Sequence, residues 1–291
     1  MSFQPGRRTF MELVAVAAGL RVLGPAEAAS AGSAQSASGG APDPALLADI
    51  VAGNHILVRK GVVQINGHLS GRSTSNPNRF FLARAIAPET VTAADIMEFD
   101  LDSNAIDARG RAAYSERFIH SEIYKARPDV NAVVHAHTPS ILPFATSDIP
   151  LRPVYQQATF IGQAVPVYKN GDNGEIVSNV EQAREMVRVL GTGAVVLMHG
   201  HGEVVVAASV RTVVSRCVEL ELNARILQNI LAMGGKPVYL QPDNAASQGG
   251  RGGRGGGGRG GGGRGGGAAG GGGFDRDWEA WMKEEMRLMK P

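Results

Sequence analysis

The sequence lacks several features that identify common classes of protein. It has a single cysteine in 291 residues, Cys217, so an internal disulfide framework and a multi-cysteine zinc ribbon are excluded. Its formal net charge is only +2, which provides no whole-molecule field that would favour nucleic acid or a membrane surface. No glycine-rich phosphate loop opens a helix after a strand, so nucleotide-binding folds are disfavoured. These absences exclude classes of protein without naming a partner.

The N-terminal segment has no apolar run long enough to cross a bilayer. Paired arginines precede an apolar run from Leu13 to Leu23, and small-x-small cleavage patterns follow it. This run is shorter than the roughly 20 residues that span a hydrocarbon core of about 30 Å. Residues 1–31 are therefore predicted to be a twin-arginine-like export signal, followed by a disordered spacer over 32–43. We expect an exported, periplasmic protein without stable membrane insertion; an N-terminal amphipathic helix in a cytoplasmic protein is the alternative.

The C-terminal segment has little sequence complexity until its last residues. Residues 246–273 are mostly glycine interrupted by arginine, which predicts a Gly/Arg-rich linker. The linker lacks interleaved aromatic residues for base stacking, so no nucleic acid is expected as a partner. Residues 274–291 place Trp278, Trp281 and Met282 at helical spacing, which predicts an amphipathic helix that docks on the domain or on a neighbouring subunit.

Residues 44–245 remain as one folded domain. Apolar periodicity predicts helices over 44–60, 115–127, 181–190 and 212–233. Alternating or continuous β-type runs predict strands over 61–69, 80–86, 97–102, 129–137 and 194–207, the last of them divided by a turn at Gly200–Gly202. The domain is therefore predicted to be α/β, without internal repeats.

Two histidines lie two residues apart in the segment Val133–His137. The two-residue period of a strand puts His135 and His137 on one face. Two such imidazoles could hold one metal ion at about 2.0 to 2.2 Å per nitrogen, provided that a third ligand joins them. His201, between two glycines at the end of a predicted strand, is the expected third ligand, and His199 competes with it. For an isolated pair of this kind, a hydrogen-bonded pair of histidines is the alternative.

A carboxylate candidate begins the helix that ends just before that strand. Glu116 could ligate the metal or exchange a proton with the substrate. The alternative is a helix N-terminal glutamate stabilised by the macrodipole. His120 lies one turn later on the same face, and a hydrogen bond from His120 to the Glu116 carboxylate is plausible.

These segments together resemble the class II aldolase/adducin family. The resemblance extends from about Leu46 to Leu240 and is carried by Gly67–Arg72, Val91–Asp102, Tyr114–His120, Arg127–Asp129, Asn131–His137 and His199–Gly202. It implies a three-layer α/β/α domain with a central, mainly antiparallel β-sheet. It also implies one divalent metal ion per chain, Zn²⁺ or Mn²⁺, held by His135, His137, His201 and Glu116, and a symmetric homotetramer.

The sequence departs from the family at the loop where sugar-phosphate aldolases hold a phosphate. That loop is small and rich in hydroxyl groups in those enzymes, whereas this chain has Leu82–Pro88 there. The substrate is therefore predicted to lack a phosphate. Arg72 and Arg84 are expected to bind a substrate carboxylate in two-pronged fashion instead. His68 and Ser70 are further candidates for substrate binding, and Tyr114 and His120 are candidates for catalysis beside Glu116.

The segments around Glu116 and His201 resemble the decarboxylase branch of the family. The predicted function is a metal-dependent carbon–carbon lyase, of aldolase or decarboxylase type, acting on a small hydroxy or oxo acid. One alternative is a sugar-phosphate aldolase or 4-epimerase, which would use the same metal site. Another alternative is a non-catalytic, adducin-like interaction protein.

Overall fold

The computed structural model of the protein describes residues 38, 40–242 and 274–288. The predicted export signal, most of the predicted spacer and the Gly/Arg-rich linker lie outside the described residues. None of the described helices is both long enough and apolar enough to cross a membrane.

The described chain contains six helices and seven strands. The helices are α1 (Pro44–Arg59), α2 (Arg117–Ala126), α3 (Leu142–Ala145), α4 (Val180–Leu190), α5 (Val210–Ala232) and α6 (Phe274–Leu288). The strands are β1 (His68–Arg72), β2 (Arg79–Ala83), β3 (Ile96–Asp100), β4 (Ala132–Ala136), β5 (Val167–Tyr168), β6 (Val195–Met198) and β7 (Gly202–Ala207). Short 3₁₀ turns at Pro88–Thr90, Ala93–Asp95 and Gln156–Ile161 complete the regular structure.

All seven strands form one sheet in the order β3-β2-β1-β4-β7-β6-β5. Every neighbouring pair is antiparallel except β5 and β6, which are parallel. The prediction of a central, mainly antiparallel sheet is therefore confirmed. β4, which carries His135, lies in the middle of the sheet and pairs with both β1 and β7.

Helices cover both faces of the sheet. Along β4, Val134 belongs to an apolar cluster with Leu220 of α5, whereas Val133 belongs to a second cluster with Ile123 of α2 and Met186 of α4. The alternation of buried side chains along one strand thus supplies two cores, one for each helical layer. The predicted three-layer α/β/α architecture is confirmed.

The predicted strand over residues 61–69 is wrong for most of its length. After α1 the chain turns tightly: the amides of Val62 and Val63 donate to the Leu57 carbonyl, and Gly61 has a φ of +71°. β1 begins only at His68. Val62 and Val63 are buried although they are not in a strand, so their apolar character reports burial rather than extended structure.

The C-terminal helix docks on the domain, as one of the two predicted arrangements requires. α6 packs against α1 and α5, and its Trp278 is only 3% exposed within the core that these helices share. Trp281 and Met282 pack against the same core from the helix surface. The tryptophan face of α6 is therefore a packing face.

Candidate metal centre

Four side chains from separate segments meet beyond the end of β4. Each of Glu116, His135, His137 and His201 offers one ligand atom, and these atoms all lie within 4.8 Å of one another. Glu116 is the residue before α2, His135 is on β4 with His137 just past its end, and His201 is in the turn between β6 and β7. Because β4 and β7 are neighbours, the turn brings His201 to the end of β4. Sequence reasoning had named all four residues.

Several distances within the cluster match those around a tetrahedral metal. The Nε2 atoms of His135 and His137 are 3.0 Å apart. The Glu116 carboxylate lies 3.4 Å from His135 Nε2 and 3.4 Å from His201 Nε2. Ligand atoms about 2.05 Å from one zinc ion would lie about 3.3 Å from each other in a tetrahedron.

The backbone sets the orientation of the His135 ring. His135 is fully buried, and its Nδ1 lies 3.0 Å from the carbonyl oxygen of Glu203 on β7. A carbonyl only accepts hydrogen bonds, so Nδ1 donates and a neutral His135 ring keeps its lone pair on Nε2. That lone pair faces the cluster, where His137 Nε2 and the Glu116 carboxylate also converge.

The charges of the cluster suit a cation. Burial opposes ionisation of Glu116, but His135 and the neighbouring imidazoles outweigh it and hold the pKa of this carboxyl well below its usual range. Burial, aided by His135 and His201, lowers the pKa of His137 to about 4, and burial also lowers the pKa of His201. Burial also opposes the charge of His135, but the Glu116 carboxylate outweighs it and raises the pKa of His135. The cluster therefore offers a carboxylate and the neutral imidazoles of His137 and His201, and a bound cation would replace the proton of His135.

These residues fit a divalent metal ion. Oε1 of Glu116 is buried and makes no hydrogen bond within the described structure. A buried carboxylate oxygen without a donor is costly unless a cation is beside it. Three histidines and one carboxylate form a donor set that zinc and manganese both accept.

His68 lies beside the cluster and is held by a chain of buried hydrogen bonds. Its Nδ1 is 2.7 Å from His120 Nε2, and His120 Nδ1 is 2.6 Å from Ser70 Oγ. Ser70 Oγ is in turn 2.8 Å from the Tyr124 hydroxyl. The His68 ring lies 5.1 Å from the His135 ring, centroid to centroid. The chain therefore links Tyr124 on α2 to a histidine at the edge of the cluster.

The hydrogen-bond chain can run in two directions, and one of them satisfies the buried Tyr124 hydroxyl. Ser70 is the only partner of that hydroxyl among the described residues, so its hydrogen has an acceptor only when Tyr124 donates to Ser70. Ser70 then donates to His120, and His120 donates to His68 Nδ1. The remaining hydrogen of a neutral His68 is on Nε2, which is buried and makes no hydrogen bond to any described residue. In this direction His68 presents an N–H donor beside the four-residue cluster.

The hydrogen bonds of His68, His120, Ser70 and Tyr124 correct two expectations from the sequence. Both nitrogens of His120 are engaged by His68 and Ser70, so His120 does not hydrogen-bond Glu116. Burial lowers the pKa of His120 to about 3, so the ring is neutral. Ser70 is fully buried and holds His120 rather than facing a substrate. Of this group, only His68 remains as a candidate for substrate contact.

Arg72 contradicts the expectation that it binds a substrate carboxylate. Its guanidinium donates to four backbone carbonyls, at 2.7 to 3.0 Å, those of Pro77, Tyr124, Arg127 and Val130. The guanidinium also stacks on the Tyr124 ring, 4.6 Å from its centroid. The side chain is 7% exposed and ties β1 to the end of α2. Arg72 is therefore a packing residue.

Three other predicted or competing residues also have different partners. Arg84 Nε lies 2.6 Å from Asp95 Oδ1, and Arg84 is not among the described residues that line the cavity beside His137, so its assignment to substrate binding stays a prediction. The Tyr114 hydroxyl donates to the Ile86 carbonyl, and burial raises the pKa of this tyrosine. His199 is not part of the four-residue cluster, so the competition for the third histidine position is decided in favour of His201.

Two residues of the site were missed in the sequence. Glu203 is fully buried, burial raises the pKa of its carboxyl to about 8, and this carboxyl is hydrogen-bonded to the Thr138 hydroxyl. The Thr138 hydroxyl in turn donates to the Val62 carbonyl. Tyr124 was also missed, although it follows His120 by one helical turn, a spacing that indicates a shared face.

A cavity of about 500 Å³ opens beside His137. Its lining is mostly apolar, from Val58, Val63, Ile65, Ala87 and Pro88, with Gln64, Asn66 and Glu89 as polar groups. No lysine or arginine is among the described residues that line it. The cavity therefore suits an apolar or aromatic group better than a phosphate.

The fold and the cluster together define a class, namely three-layer α/β/α proteins with a three-histidine, one-carboxylate centre at the end of a central strand. The family model for the class II aldolase and adducin N-terminal domain matches residues 48–228. The chain belongs to this family.

Two relatives that the chain resembles over about three quarters of their length are decarboxylases by name. The chain is 33% identical over 193 residues to decarboxylase tropJ of Talaromyces stipitatus, covering 60% of this chain and 73% of that protein. It is 32% identical over 195 residues to 3,4-dihydroxyphthalate decarboxylase of Arthrobacter keyseri, covering 62% of this chain and 76% of that protein. Both similarities support the decarboxylase-like branch.

A solved structure supports the fold. The aldolase II superfamily protein from Pseudomonas syringae superposes with a TM-score of 0.65 at 21% identity, over 84% of this chain and 93% of that one.

Proposed function

We propose that the protein is a divalent-metal-dependent carbon–carbon lyase that decarboxylates a small hydroxylated aromatic or oxo acid without a phosphate. The observation that carries this proposal is the cluster of Glu116 and three histidines, placed beside an apolar cavity without basic residues. The names of the two decarboxylase relatives support the reaction type. Aldol cleavage of a similar acid is the second candidate, because it breaks the same kind of bond.

The metal site would be formed by His135, His137, His201 and Glu116. When bound, a zinc or manganese ion supplies a Lewis acid that stabilises the electron pair released when the carbon–carbon bond breaks. The Glu203 carbonyl holds the His135 ring with its Nε2 towards this site. Glu116, held as a carboxylate, accepts a proton from a substrate hydroxyl and can return it to carbon.

His68 would orient the substrate. Its Nε2–H is the donor that the hydrogen-bond chain from Tyr124 leaves without a partner beside the cluster. A substrate oxygen that accepts this hydrogen would satisfy the buried donor. His120, Ser70 and Tyr124 keep the tautomer and take no direct part in the reaction.

The substrate would place its apolar part in the cavity beside His137. A flat ring is compatible with the mixture of aliphatic walls and amide groups that line the cavity. A sugar phosphate would need cationic groups that this lining lacks, so the epimerase and sugar-phosphate aldolase alternatives are disfavoured.

The test combines metal analysis with product analysis on the purified protein. We expect about one zinc or manganese per chain, and carbon dioxide release from dihydroxylated aromatic acids such as 3,4-dihydroxyphthalate. His135→Ala and His201→Ala should each lose the metal and the activity, whereas His199→Ala, which alters a histidine outside the cluster, should keep both.

Two results would contradict the proposal. Folded wild-type protein that binds no added metal would favour the adducin-like alternative. Metal-dependent cleavage of L-fuculose 1-phosphate without decarboxylation of any acid would favour the sugar-phosphate alternative.

We also propose that the chain is exported to the periplasm and assembles as a homotetramer. The paired arginines and the apolar run within residues 1–31 support export, and the family resemblance supports the tetramer. Fractionation of the producing cells, together with N-terminal sequencing of the mature protein, tests the location. Light scattering after size-exclusion chromatography tests the assembly, and a monomer would contradict it.

A further inference from the structure

The C-terminal helix α6 is outside the segment that the family model matches, yet a buried ionic contact holds it on the domain. Glu285 of α6 is only 4% exposed. Its carboxylate lies 2.8 Å from His55 Nδ1 and also contacts the Arg59 guanidinium, both on α1. A buried ion pair is weak evidence for stability but specifies a register, because a shifted helix would leave charges unpaired.

The same helix also contacts the last turn of α1. The ammonium group of Lys60, the residue after α1, lies 5.5 Å from the centroid of the Trp281 ring and 3.8 Å from a Glu284 oxygen. Val58 and Gly61, on either side of this turn, line the cavity beside His137. The position of α6 is therefore linked to one wall of the cavity.

His55 extends this link to a second wall. Its Nε2 donates to the Val91 carbonyl at 2.9 Å, while its Nδ1 faces Glu285. Val91 ends the 3₁₀ turn Pro88–Thr90, and Pro88 and Glu89 of that turn line the cavity. One side chain of α1 thus connects the C-terminal helix to a second segment of the cavity wall.

We propose that α6 is a brace that sets the width of the substrate cavity, with Glu285 and His55 as positioning residues that determine how tightly the substrate is held. Neither residue is in the four-residue cluster, so the brace acts through the walls of the cavity and leaves the metal ligands alone. This inference rests on the proposed function only in treating the cavity beside His137 as the substrate site.

A brace and simple packing predict different effects of removing the Glu285 charge. If α6 only covered apolar surface on α1 and α5, removing the Glu285 charge would loosen α6 and leave the cavity walls unchanged. If α6 is a brace, the effect must reach residues 86–92, which reach α6 through the His55 bridge.

The experiment compares full-length wild type with Glu285→Gln, Trp278→Ala and the control Glu279→Gln. Glu279 is an exposed carboxylate of the same helix. Hydrogen exchange is measured by mass spectrometry over residues 86–92. We expect about five- to tenfold faster exchange there in Glu285→Gln and Trp278→Ala, and wild-type rates in the control. Faster exchange confined to residues 274–288 in both variants would overturn the brace.

Kinetics on the acid that the wild type decarboxylates provide the second measurement. We expect KM to rise about five- to tenfold in Glu285→Gln, the size typical of one positioning contact, with kcat within about twofold of wild type. Metal content should stay at the wild-type value. An unchanged KM, or loss of metal together with kcat, would overturn the brace. If the wild type decarboxylates no acid, the proposed function fails, and the exchange rates still decide whether the brace exists.

Discussion

At the scale of single residues, the site depends on which nitrogen of each imidazole carries the hydrogen. Two carbonyl or hydroxyl partners decide this: the Glu203 carbonyl for His135, and the chain that begins at Tyr124 for His68. The second nitrogen of His135 faces the cluster, and the second nitrogen of His68 is buried without a hydrogen bond to any described residue. The tautomers are therefore set by groups that do not touch the substrate.

Tyr124→Phe tests the direction of the hydrogen-bond chain. Without the tyrosine hydroxyl, the hydrogen bonds of Ser70 and His120 can reverse their direction. His68 then no longer favours the tautomer with hydrogen on Nε2. We expect an about threefold to tenfold rise in KM, and a changed Nε2 signal of His68 in nitrogen NMR spectra, with metal content unchanged.

Tyr168→Phe is the matched control for this prediction. Tyr168 is also buried, but its hydroxyl contacts Asn170 at 3.4 Å, outside the chain. A tautomer signal that stays the same in both variants would contradict the deduced direction.

At the scale of secondary-structure elements, the metal ligands are brought together by the close approach of β4 and β7. A Cβ atom added at Gly202 would lie 2.1 Å from the Ala136 carbonyl oxygen and 2.8 Å from Cδ2 of His137. Glycine therefore allows the turn that carries His201 to reach the end of β4.

Gly202→Ala should separate these two elements. We expect the affinity for zinc or manganese to fall by about ten- to a hundredfold, measured by competition with a chelator, with the helical content retained. The control Gly110→Ala puts a side chain at a φ of +78° with no atom within 4 Å of the new Cβ. It should cost about 1 kcal/mol of stability without changing the metal affinity. Equal affinities in wild type and Gly202→Ala would contradict the steric argument.

The stability of the folded protein should depend on pH through a glutamate between α5 and α6. Burial, together with Asp277 of α6, raises the pKa of Glu219 of α5, and Oε2 of Glu219 has no hydrogen bond among the described residues. Because the folded protein then binds this proton more tightly than the unfolded chain, stability falls as pH rises from the unfolded pKa of about 4.5 through the raised folded value.

Urea unfolding of Glu219→Gln at several pH values tests this. At about pH 7 the variant should be more stable than wild type, and the two should converge near pH 4, where the glutamate is protonated in both states. Glu221→Gln is the control, since Glu221 is paired with Arg225 at 2.8 Å. A variant that is less stable than wild type at pH 7 would contradict the assignment of a destabilising charge.

At the scale of the whole molecule, metal binding and folding should be coupled, because the four ligands come from segments that only the folded chain brings together. A free metal concentration of 100 times Kd would raise the free energy of unfolding by about 2.7 kcal/mol. For a domain of this size that corresponds to a rise in Tm of roughly 5 to 10 °C.

Calorimetry before and after removal of the metal with a chelator measures this shift. His137→Ala should unfold at the same temperature with and without added metal. A wild type whose Tm ignores both the chelator and added metal would show that the cluster does not bind these ions.

The sequence by itself determined the layer architecture, most helices and strands, and the four residues of the candidate centre. Helical and two-residue periodicities are local properties, so α1, α4, α5 and the alternation along β4 could be predicted from them. Two histidines on one strand, a third between glycines and a glutamate at a helix start made these residues candidates, and the family resemblance of the segments that carry them implied the four-ligand set.

Only the tertiary structure decided what the remaining polar residues do. Arg72 has the residue type of an anion binder, but four carbonyls from separate segments converge on it. Glu203 is an acid in sequence, yet burial keeps it protonated beside Thr138. Such roles depend on long-range packing, on desolvation and on which acceptors a fold brings together, and none of these quantities is encoded in local spacing.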